Sequence, residues 1–220
     1  MPSLSVIRSI TLAAAVLAPA LAHADSYLVQ MTSSVVETDR STGISGVMPL
    51  GSPVVMSFTV DSNNYLDSAI SPARGYVIDP SSFMMTVNGT NVSVALPSPT
   101  YFGLRNNAPK VDGMFMGTGT TGGTALNATV DGLSQTFRFT YNESWSAGLE
   151  LSSLNIADAV GTHGSAGLGS YQMDLTLNGS GASFNVPTVT ISAVPEPATY
   201  GMMALGLVAL VGVTRRRSAA

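Results

Sequence analysis

From Tyr27 to Leu177 the chain is a series of short runs with a period of two, and that period limits the fold more than any other feature. Tyr27, Val29 and Met31 alternate with Leu28, Gln30 and Thr32, and Met56, Phe58 and Val60 with Ser57 and Thr59. Val92, Val94 and Leu96 alternate with Ser93 and Ala95, and Tyr171, Met173, Leu175 and Leu177 with Gln172, Asp174 and Thr176. Successive side chains of a strand point to opposite faces, so these runs predict antiparallel sheet with one face in water. Asn88-Gly89, Asp112-Gly113, Asp131-Gly132 and Asn178-Gly179 punctuate the runs. A type I′ turn needs positive φ at both central residues, which Asn, Asp and Gly tolerate best. Hairpins are therefore predicted for 83–87 with 90–96 and for 125–130 with 133–141. No stretch has a strong period of 3.6, and only 149–160 is ambiguous. Residues 61–72, with Asp79-Pro80 beyond them, read as a polar connection, and the Gly-Thr-rich 117–123 as a loop. There is no internal repeat. The expected fold is all-β: a single antiparallel β-sandwich over residues 25–193.

Charge narrows the function. Only 10% of the 220 residues are charged, against about 25% in an average soluble domain. Between residues 25 and 194, Arg40, Arg74, Arg105, Lys110 and Arg138 face twelve acids, a net charge of −7. Five scattered cations on an acidic domain argue against nucleic acid, whose phosphates need clustered Lys or Arg. The chain has no cysteine, so it carries no disulfide, no thiolate nucleophile and no Cys-ligated metal.

The two ends read as addresses. Residues 1–24 have the form of a secretory signal peptide: Arg8 beside the amino terminus, an apolar run over 10–21, then small Ala22 and Ala24 flanking His23. Cleavage there leaves Asp25 as the first mature residue. At the other end Val194-Pro195-Glu196-Pro197 precedes an uncharged run over 198–214, and Arg215, Arg216 and Arg217 follow. As a helix that run rises roughly 25 Å at about 1.5 Å per residue, slightly short of a hydrocarbon core of about 30 Å, so a C-terminal transmembrane helix is predicted. The arginines place its C-terminal end in the cytoplasm. Each proline biases the residue before it toward an extended conformation, which presents Glu196 on a stiff segment just outside the membrane.

The order of these parts over residues 194–217 resembles the PEP-CTERM sorting signal of exported bacterial proteins. The resemblance implies recognition and processing by an exosortase-type enzyme of the inner membrane. Signal peptidase and the inner membrane itself are the other expected partners. The resemblance also implies an association with exopolysaccharide and biofilm, and a final location at the cell surface or outside the cell.

Candidate chemistry in the domain is sparse. Once the signal peptide leaves with His23, His163 is the one histidine, set between glycines. A Ser-His-Asp triad with Asp158 or Asp174 would need fixed geometry that such a loop lacks, so His163 is read as a solvated loop residue. Glu143 and Glu150 flank the sole tryptophan, Trp145, as carboxylates flank an aromatic in some sugar-cleaving sites, but solvated loop charges explain them equally well. Asp61, Asn63 and Asp67 place oxygens two and four residues apart, as a calcium loop does, without the glycine and closing Glu of an EF-hand. Asx turns account for them better. Phe137, Phe139, Tyr141 and Trp145 share strand parity opposite Arg138, Thr140 and Asn142, so the aromatic face should be core. Trp145, past the expected strand end, and Tyr141 are the candidate ligand contacts. Met84, Met85, Met114 and Met116 read as core fillers. The expectation is a non-catalytic surface or matrix protein with no cofactor. A glycan- or surface-ligand-binding module is the alternative, and a hydrolase a more distant one.

Overall fold

The computed structural model describes residues 26–38, 48–106, 112–120, 126–130, 133–143, 151, 153–164, 168–177, 180–185 and 187–195. The chain divides into two compact units, Ser26–Ala193 on one side and Met1–Asp25 with Val194–Ala220 on the other. The described strands are β1 (Ser26–Thr38), β2 (Pro53–Asp67), β3 (Ala73–Ile78), β4 (Met84–Val87), β5 (Thr90–Val92), β6 (Val94–Ala95), β7 (Tyr101–Arg105), β8 (Gly113–Gly117), β9 (Leu126–Val130), β10 (Leu133–Glu143), β11 (Gly161–His163), β12 (Leu168–Leu177), β13 (Ser180–Phe184) and β14 (Thr188–Val194). Two 3-10 turns, Pro80–Ser82 and Ile156–Ala159, interrupt them, and there is no α-helix among the described residues.

All strands join one curled antiparallel sheet in the order β11-β14-β1-β13-β12-β10-β8-β7-β3-β2-β4-β5, open at β11 and β5, with β9 and β6 branching from β10. The sheet curls because β1, which also lies beside β14, serves β2 and β13 at different heights. Its residues Ser26–Ser34 pair with β2, while Val35, Glu37 and Thr38 pair with β13 across a bulge that tightens the local twist. The all-β, antiparallel expectation holds. The pairings connect every strand in one network, and no division into two stacked sheets appears in it.

The period-two runs form the core as their spacing requires. Tyr27, Val29 and Met31 stand opposite Val60, Phe58 and Met56, and all six are buried. Phe58 packs parallel to Phe83 at 5.9 Å and tilted against Phe102 at 5.6 Å. Phe139 is buried and Arg138 exposed, so at this position the core reading of the β10 aromatics is correct. β8 is buried on both faces. Its Phe115 lies over Gly103, where a Cβ would fall inside the ring, so only glycine admits it.

Local turn chemistry sets the hairpins. Asn88 and Gly89 have φ of 53° and 78°, and β4 and β5 pair across them from Val87↔Thr90. Val130↔Leu133 and Leu177↔Ser180 likewise leave two residues between paired strands. Asp112-Gly113 is different: Gly113 opens β8 opposite Arg105, so that dipeptide starts a strand instead of turning one. The expected polar connection from Asp61 is strand as far as Asp67, because β3 pairs with it again at Tyr65↔Tyr76 past an irregularity after Val60. Asp79 caps the first 3-10 turn, its Oδ1 accepting from Ser81 N at 2.9 Å. Met85, Met114 and Met116 are buried, but Met84 points to the outer face and is 59% exposed.

Candidate functional site

Five register pairs draw a row across one end of the sheet: Asp67↔Arg74, Ala73↔Arg105, Arg105↔Gly113, Asn142↔Gly113 and Glu143↔Leu168. The segment from Leu151 to Ala159 is fastened to this end. Asn106 Nδ2 donates to Leu151 O at 2.8 Å, and Leu151 N donates to Asp112 Oδ2 at 2.9 Å. Tyr76, fully buried on β3, donates through its hydroxyl to Leu154 O at 2.6 Å and accepts from Ile156 N at 2.9 Å. Leu151, Ile156 and Ala159 of the strap so formed are buried. Within the stretch that was ambiguous in sequence, the described residues 151 and 153–160 form an irregular strap with one 3-10 turn, capped by Asn155 Oδ1 accepting from Ala157 N.

At the rim, Arg74 grips Asp67 with both ends of its fork, Nε to Oδ1 at 2.6 Å and Nη2 to Oδ2 at 2.9 Å. Its guanidinium carbon lies 3.8 Å over the Tyr65 ring, which meets Tyr76 edge-on at 6.0 Å. The hydrogen bond from Arg74 holds the Asp67 carboxyl below the usual carboxylate range, and Asp67 in turn raises Arg74. Burial pushes the Tyr76 phenol up, so it stays a neutral donor to the strap. Burial lowers Arg105, whose guanidinium sits 5.3 Å from the Phe115 ring. This cluster was not singled out in the sequence. Its signal was an acid and an arginine flanking the turn between β2 and β3, at places that register brings face to face.

Of the calcium-like oxygens at Asp61, Asn63 and Asp67, Asp61 Oδ1 and both carboxylate oxygens of Asp67 are engaged. Asp61 Oδ1 accepts from Asn63 N at 2.8 Å, an Asx turn, and both oxygens of Asp67 belong to Arg74. The described His, Asp and Glu residues form no group of three able to hold a metal. Tyr141 stands in β10 in register with Met114 and Tyr171. Trp145 and Glu150 lie outside the described residues, as do Ala22, Ala24 and Asp25.

His163 corrects the sequence reading. It is a buried residue of β11, not a solvated loop residue, with Nε2 2.9 Å from Ala159 O. Its Nδ1 is buried with no partner among the described residues. Asp158 Oδ2 accepts from Ser153 Oγ at 2.6 Å, and Asp174 stands opposite Arg138 and Ser183. No described hydrogen bond links His163 to either carboxylate. Loop composition was the misleading signal: β14 supplies the pairing that makes 161–163 a strand, and that partner is distant in sequence.

The tail begins where the sheet ends. Val194 closes β14 and Pro195 is exposed, while Glu196, Pro197, the apolar run 198–214 and Arg215, Arg216 and Arg217 lie outside the described residues. Among the described residues no helix is long and apolar enough to cross a membrane. Residues 193–217 match the PEP-CTERM protein-sorting motif. No curated protein and no solved structure matches the chain.

Proposed function

We propose, from a chain that carries a PEP-CTERM sorting motif and is therefore an exported exosortase substrate with a membrane-anchored precursor, that the mature product is a non-catalytic protein of the cell surface or extracellular matrix. The observation that carries this reading is the match over residues 193–217, which contains Val194-Pro195-Glu196-Pro197 and the three arginines in the expected order. A helix with arginines on its cytoplasmic side would hold Glu196 at the outer membrane–water boundary, within reach of an enzyme embedded in the same membrane. The domain's own side chains support the non-catalytic part. There is no thiol, and the histidine's Nε2 is committed to a backbone carbonyl. The carboxylates of Asp67 and Asp158 are committed to Arg74 and Ser153. The association with exopolysaccharide is supported by the tail's resemblance and by an acidic, sparsely charged domain suited to a hydrated matrix.

Expression in a host with and without the processing enzyme tests the reading. With the enzyme, the protein should leave the membrane fraction and lose mass at its C-terminus; without it, the precursor should stay membrane-bound. The mature N-terminus in both hosts should be Asp25, read by N-terminal sequencing, because Ala22 and Ala24 offer signal peptidase its small residues. Material that still begins at Met1, or whose fate ignores the enzyme, contradicts the reading.

A further inference from the structure

The last strand and the sorting motif overlap. β14 ends at Val194 and the motif begins at residue 193, so no spacer separates the sheet from Pro195. Two independent features of β14 stop at the same residue. Its buried side chains are Val189 and Ile191, whereas Ser192 and Val194 are half-buried and Ala193 is exposed. Its pairing with β11 runs through His163↔Val189, Thr162↔Thr190 and Gly161↔Ile191 and goes no further. β11 is itself well held, by buried His163 on Ala159 O at 2.9 Å and by Thr162 Oγ1 3.2 Å from Thr190 Oγ1. β14 therefore lies between β1 and β11, and beyond Ile191 β11 no longer covers one edge.

An enzyme that reads Pro195-Glu196-Pro197 must also take up residues on the amino side of the motif. It can grip them only as an extended chain whose backbone donors and acceptors are available, and in a strand the groups that face a paired neighbour are already used. We propose that Ile191 is the fixed point of tail release: Ser192, Ala193 and Val194 peel from the sheet as a handle for the processing enzyme while the clamp on Val189–Ile191 keeps the core shut. Three extended residues give about 10 Å of reach between the enzyme's cleft and the sheet. Peeling as far as Ile191 exposes no core side chain. Peeling further exposes Ile191 and then Val189 and strips β11 of its only partner among the described residues. The inference rests on the reading of this chain as an exosortase substrate.

The test is pulse-chase maturation of the full chain, in a host that carries the sorting machinery, against a co-expressed substrate known to mature there. Deleting Ser192 and Ala193 together keeps the parity of Val194 but removes most of the handle. Maturation should slow at least about tenfold, since release must then pass Ile191 and expose a core side chain. A four-residue Gly-Ser linker between Val194 and Pro195 should restore the rate of the deleted chain and leave the rate of the undeleted chain unchanged. The proposal is overturned if the deleted chain matures at the normal rate or the linker does not rescue it. A linker that greatly accelerates the undeleted chain also overturns it, in an arm that does not depend on the deleted chain folding. If the undeleted chain fails to mature while the control substrate does, it is the exosortase-substrate reading that has failed, and the inference falls with it.

Discussion

Tyr76 does most to unite the described fold at the level of single residues. Its ring fills the core of β3 and its hydroxyl serves two backbone groups of the strap. Tyr76→Phe keeps the ring and strands Leu154 O and Ile156 N. The loss should be about 1–3 kcal/mol, read from urea denaturation, with a slope close to that of the unchanged protein. Asp67 titrates differently from an ordinary carboxylate, because Arg74 lowers its value in the folded state. Its contribution to stability is therefore complete above the unfolded carboxylate range, begins to fall as the pH drops below about 4, and is gone below the lowered folded value. The pair is solvent-exposed, so the change should be small. Melting temperatures measured from neutral to acid pH should show this component in the native chain and lack it in Asp67→Asn. The pair's partners were each visible in the sequence, but their meeting was not, since it depends on β2 running on past Asp61.

Among elements, the hairpins were legible because a turn is decided by two adjacent residues. Asn88-Gly89 has the positive φ angles expected of it, and the strands on either side pair in the register that the turn imposes. Gly89→Val should cost at least about 1–2 kcal/mol, because a β-branched residue is forced into left-handed backbone. Amide exchange should then speed up over β4 and β5 before it does over β1. What could not be read were elements whose partner is remote. β11 looked like a glycine-rich loop until β14 was placed beside it. The strap at 151–160 was ambiguous because, beyond its single 3-10 turn, it is fastened by hydrogen bonds to Tyr76, Asn106 and Asp112, which are remote in sequence. Asp112-Gly113 has turn chemistry, yet β7 and β10 capture Gly113 as a strand residue. Alternation specifies which face is buried, not which strand is the neighbour, so it led to the antiparallel class but not to a sheet that curls through a β1 shared by β2, β13 and β14.

For the whole molecule, a curled antiparallel sheet is joined to a tail that carries the address. The tail was legible because its information is linear: prolines that stiffen, a single ionised Glu196, an uncharged run and a basic stop are read in sequence order. The direct test of the account is therefore made at Glu196. Glu196→Ala leaves the apolar run and the three arginines intact, so membrane insertion should be unchanged. Processing should fall, because the extended segment loses its one charge-assisted contact. In a pulse-chase with fractionation in a host that carries the sorting machinery, the substituted protein should accumulate as membrane-bound precursor while the unchanged protein matures and leaves. Maturation of Glu196→Ala at the normal rate would mean that Pro195-Glu196-Pro197 is only a linker and the tail a plain membrane anchor.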